Sequence, residues 1–109
     1  IKSAKGEAKK ARFETQVAEV ELEQKVLELY NDLLKTHRLF FISGSIVDNF
    51  RVQSIRAEKD FSNGVINVIE YTRLQQMMNQ ATMNFELQRS EFISSVMALE
   101  SVIGADLNI

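Results

Sequence analysis

One short stretch, Ser62-Asn63-Gly64, limits what this chain can become, because it is the only strong turn signal in the second half of a sequence that has no proline. Asn and Gly tolerate positive φ where other residues do not. A helical pattern ending in charges lies before the turn. After it, Asn67 is placed to cap a new helix whose first turn carries Glu70, an acid where the helix dipole favours one. The expected unit is all-α: a long antiparallel helical hairpin with its tip over residues 62–67.

The first arm is expected over about residues 3–61. Ala4, Ala8, Ala11, Thr15, Ala18, Leu22, Val26, Leu29 and Leu33 recur at spacings of four and three, which sets them on one helix face. A second stripe of Phe13, Val17, Val20, Leu27, Tyr30 and Leu34 runs beside it. Two stripes imply neighbours on both sides, the pattern of a bundle or ring, because a two-stranded coiled coil needs one seam. The steps Ala18 to Leu22 to Val26 put two fours in succession, a stutter that argues against a strict heptad rod.

Residues 39–50 are open to two readings. Ser43-Gly44-Ser45 would suit a break after a short strand. Helical spacing nevertheless persists through Ile42, Ile46, Asn49, Phe50, Gln53, Arg56 and Ala57, and one interior glycine costs only about 1 kcal/mol. A continuous arm bent at Gly44 is the favoured reading, spanning about 85 to 90 Å at 1.5 Å per residue.

The second arm is expected over about 67–103. Leu74, Met78, Ala81, Phe85, Phe92, Val96, Leu99 and Ile103 share a stripe interrupted by Gln88, and Met77, Met83, Leu87, Ile93 and Met97 flank it. Gly104 reads as the C-terminal stop, with 104–109 as a linker.

Thirteen Lys and Arg against fifteen Asp and Glu leave a net charge of −2, which does not suggest a general nucleic-acid binder. Lys2, Lys5, Lys9, Lys10 and Arg12 crowd the start, but Glu7 and Glu14 interrupt them, so a solvated face is expected. No apolar run approaches the roughly 18 residues of a transmembrane helix. The chain opens on Ile1 without a signal-like segment, and is therefore expected to be an excised piece of a longer protein.

The segment Gly64-Val65-Ile66-Asn67-Val68-Ile69-Glu70-Tyr71, followed by Gln80-Ala81, Asn84, Phe92 and Ala98-Leu99-Glu100-Ser101-Val102-Ile103-Gly104, resembles the final helical hairpin of the TolC-type outer-membrane efflux proteins. The first arm is similar to the family's preceding helix through Ala11, Val17 to Leu22 and Leu29-Tyr30. The resemblance covers nearly the whole chain and rests on the joint register of motifs that are individually common. It implies a homotrimeric channel of a Gram-negative outer membrane, with this segment in the periplasm as part of a helical tunnel. The implied partners are a periplasmic adaptor and an inner-membrane transporter. It also implies that Asn63, Gly64, Val65, Ile66 and Asn67 form the adaptor-contacting tip, and that Glu70 and Arg73 lie at the pore constriction. A ring of carboxylates there would attract cations and repel itself, as a gate does. Two positions depart from the family. Ile66 replaces a basic residue found in some members, and Arg73 replaces a second acid, with an i,i+3 pairing to Glu70 as its alternative role.

No catalytic site, cofactor or metal site is expected. His37 is the only histidine and cysteine is absent, so there is no second histidine or thiol to share a metal or act as a nucleophile. Asp48, Glu58 and Asp60 are spaced for solvation rather than acid–base work. The four methionines, three of them within Met77 to Met83, could suggest soft-metal export, but methionine fills irregular core gaps far more often and packing is the favoured reading. The alternative to a channel segment is an adaptor or scaffold hairpin whose tip binds a partner without enclosing a pore. Either way, apolar stripes of this length predict self-association of the isolated segment, for instance as a four-helix dimer.

Overall fold

A computed structural model describes the chain from Lys2 to Gly104, with side chains from Ala4 onward. Of the linker expected over 104–109, residues 105–109 fall outside the described residues, as does the side chain of Lys2 in the basic cluster. Helix α1 spans Lys2–Ser62, 61 residues, and helix α2 spans Val68–Ile103, 36 residues. They pack antiparallel into a ribbon measuring 93 × 24 × 13 Å. Among the described residues there is no strand, and no helix is long and apolar enough to cross a membrane.

Helix α1 runs unbroken through Gly44. That glycine answers to the opposite helix, since a Cβ on it would stand 3.2 Å from Phe85 Cε2. The strand-and-break alternative for 39–50 is thus replaced by a close approach between helices.

The packed face is narrower and more regular than the stripes suggested. On α2 the covered row is Tyr71, Leu74, Met78, Ala81, Phe85, Gln88, Phe92, Ser95, Leu99 and Val102, alternating three and four apart, with Val96 and Glu100 half-buried beside it. On α1 it is Val26, Leu29, Leu33, Thr36, Phe40, Ser43, Val47, Phe50, Ser54 and Ala57, with the same alternation, and Gly44 and Asp60 are half-buried beside it. This is a strict heptad seam, so the expectation against one is corrected for the paired part. The stutter falls just above Val26, at the height where α2 ends. Above it every residue from Ala4 to Lys25 is exposed, and α1 continues as a single unpartnered helix. The second stripe is exposed throughout, including Phe13, Val20, Leu27 and Leu34.

Leu33, Phe92 and Leu99 form the core, with Val26, Leu29, Phe40 and Val96 packed against them. Phe40 stacks between Phe85 and Phe92, at centroid distances of 5.2 and 5.6 Å, and His37 meets Phe92 edge-on at 5.2 Å. Such aromatic pairs add roughly 0.5–1.5 kcal/mol beyond area burial. Several seam positions are polar. Thr36 and Ser43 return their hydroxyl protons to the carbonyls of Leu33 and Phe40. Gln88 Oε1 is buried without a partner. Three of the four methionines, Met77, Met83 and Met97, are exposed rather than packed within the hairpin.

Candidate functional site: the hairpin tip

The tip is built by backbone bonding that the sequence 59–67 dictates. At the end of α1 the Val65 N–H donates to the Asp60 carbonyl at 2.8 Å and the Gly64 N–H to the Phe61 carbonyl at 3.1 Å. This pair closes a helix only if the residue between takes positive φ, and Gly64 does so at 73°. Asn67, extended at φ −88° and ψ 171°, then opens α2, its Oδ1 accepting from the Glu70 N–H at 2.9 Å. Both ends of the turn are therefore fixed by side chains or geometry that water need not supply.

A second brace was not anticipated. Phe61 and Tyr71 stack face to face across the base of the turn at 4.8 Å and 10°. The Tyr71 hydroxyl accepts from the Gln75 amide at 2.7 Å. The signal available in the sequence was an aromatic on each side of Gly64, at the last turn of one helix and the first of the next.

Asn63, Gly64, Val65 and Asn67 are exposed, and Ile66 is half-buried. Val65, Val68 and Ile69 leave the tip apolar, each more than half exposed. Glu70 and Arg73 are both exposed, one turn apart on α2. The i,i+3 ion pair suggested for them is not formed, the ion pairs among the described residues being Arg51–Asp48 and Arg89–Glu86. An exposed pair of this kind gains only about 0.3–0.5 kcal/mol, too little to hold two long side chains together. Arg73 instead lines a shallow groove of about 350 Å³ with Val68, Ile69, Thr72 and Gln76. The tip thus offers an exposed apolar surface, braced by the turn bonds and the Phe61–Tyr71 stack, with Glu70 and Arg73 exposed on its α2 side.

His37 lies exposed against Phe92, far from the tip in the chain, and no group of acids and histidines able to hold a metal occurs among the described residues. Compared with protein-family models, curated proteins and solved structures, the chain has no match in any of the three.

Proposed function

We propose that this hairpin is a periplasmic tunnel segment of a TolC-type outer-membrane channel, working as a trimer with a periplasmic adaptor and an inner-membrane transporter to export small molecules or proteins. The observation that carries the reading is the tip: a turn held at both ends, apolar at Val65, Val68 and Ile69, with Glu70 free one turn above it. A docking tip must keep its shape without its partner, and the Gly64 closure, Asn67 cap and Phe61–Tyr71 stack supply that rigidity. A ring of hairpins also needs apolar flanks, and α1 and α2 both carry them on the sides they turn away from each other. In this arrangement Glu70 from each subunit converges on the tunnel mouth, with Arg73 beside it moderating the negative field.

The test is disulfide trapping in the full-length parent, with Asn63→Cys and Glu70→Cys in separate variants. Subunit-to-subunit links at position 70 that block export, together with capture of the adaptor from position 63, are expected. Absence of both would remove the ring and the docking tip together. The second reading, an interaction hairpin that encloses no pore, is favoured by the same apolar tip. It predicts partner capture at 63 without any link at 70.

A further inference from the structure

Along the edge of the ribbon where Asp32 of α1 meets Ser95 of α2, the helical repeat gathers oxygen atoms. Asp32 and Thr36 lie four apart on α1. Ser90 and Ser94 lie four apart on α2, as do Glu91 and Ser95, so each pair shares a face of its helix. Together they line a hollow of about 420 Å³ between the two helices, a size usual for small-molecule sites. Ala98 completes the lining, and the short side chains of α2 leave open the space that longer ones would fill. No lining side chain carries nitrogen or a positive charge.

Two independent observations say what such a hollow takes. The first is charge. Asp32 and Glu91 bring two carboxylates, and neither belongs to an ion pair among the described residues. Lys35 lines the adjoining groove, which shares Asp32 and also contains Glu28. The second is a pair of hydroxyls buried beneath the carboxylates. Thr36 and Ser95 are only 7 and 6% exposed, and each has committed its proton. Thr36 donates to the Leu33 carbonyl at 3.1 Å, and Ser95 to Asp32 Oδ2 at 3.2 Å or the Glu91 carbonyl at 3.0 Å. A hydroxyl keeps two acceptor lone pairs after donating, and among the described residues nothing donates to either oxygen. Buried acceptors left in this state favour a ligand rich in N–H groups.

We infer that the hollow binds a short aliphatic diamine, one ammonium for each of the two carboxylates, with the spare N–H groups reaching the Thr36 and Ser95 oxygens. An ammonium has three donors and no acceptor, the complement of a lining that offers acceptors, and its bonds to carboxylates are charge-assisted. A bare metal dication matches less well. Calcium gathers about six to eight oxygens around one point, and no group of acids and histidines able to hold a metal occurs among the described residues. The site belongs to a single hairpin and is separate from the tip, so it does not depend on the channel reading.

The test is a titration of the whole chain with putrescine, followed by amide NMR shifts at near-physiological salt, where distant charges are screened. Shifts centred on Thr36, Ser90, Ser94 and Ser95 are expected, with butylamine and calcium each binding several-fold more weakly. Asp32→Asn and Glu91→Gln should each weaken putrescine binding about three- to fivefold, as the loss of one partly exposed ion pair does. Glu19→Gln removes the same charge from the exposed upper part of α1 and should leave binding unchanged. Equal affinity for butylamine or calcium, shifts spread along the ribbon, or equal weakening by Glu19→Gln would overturn the inference. The comparison of ligands uses the unaltered chain, so it decides the matter even if a variant loses its helical circular dichroism. Failure here leaves the disulfide links at positions 63 and 70 standing, and is therefore distinguishable from failure of the channel reading.

Discussion

At the scale of single residues, Gly64 is a position where a single added methyl group is costly. With φ at 73°, Gly64→Ala should destabilise the hairpin by about 1–2 kcal/mol, read as lost thermal stability by circular dichroism, while Gly64→Asn should lose less. Asn67→Ala removes the one side-chain cap at the tip and should cost about 1 kcal/mol, with Asn67→Asp close to neutral. Both residues were legible in the sequence, because capping is local chemistry written within a few positions. Gly44 was not. Its helical neighbours say nothing of Phe85, which lies on the other helix and sets the space available. Gly44→Val should therefore lose about 1–3 kcal/mol through overpacking, in spite of its better helix propensity, and Phe85→Ala in the same chain should recover part of that loss. The ion pair offered as an alternative role for Arg73 with Glu70 is absent for a related reason, since spacing permits an exposed pair without making it worth forming.

At the scale of the two helices, the seam explains why the stripes of the sequence were only half right. Apolar periodicity marks every face that some partner could cover, and α1 has more such faces than α2 alone can cover. The seam itself was obscured because Thr36, Ser43, Ser54, Gln88 and Ser95 occupy covered positions with polar groups. Thr36 and Ser43 are satisfied by their own helix, which is what lets hydroxyls pass as core residues. Ser95 lies 3.2 Å from Asp32 Oδ2 and 3.0 Å from the Glu91 carbonyl, sharing one proton between them. Gln88 has no such provision for its carbonyl oxygen, and it was visible from sequence as a break in the α2 stripe. Gln88→Leu should raise stability by about 1–2 kcal/mol in thermal or urea unfolding, because an unsatisfied buried acceptor costs about that much. A loss of stability would mean that the amide has a partner in solution.

At the scale of the whole molecule, no side chain among the described residues is fully buried, and the upper α1 segment is exposed from Ala4 to Lys25. Hydrogen exchange should therefore be fast across residues 4–25 and slow across 33–57, and trypsin should cut first at Lys9, Lys10 or Arg12. Equal protection along α1 would show that the upper segment is already covered by another chain in solution. The nested contacts have a mechanical consequence too. Each layer of the seam, from Phe61–Tyr71 outward to Val26, closes a longer loop than the one before it. A load that spreads the open ends meets only one layer at a time, and the ribbon peels. A load applied at Gly64 runs down both helix axes instead, where the backbone ladders of two rods share it. The same molecule is a zipper from one end and a strut from the other.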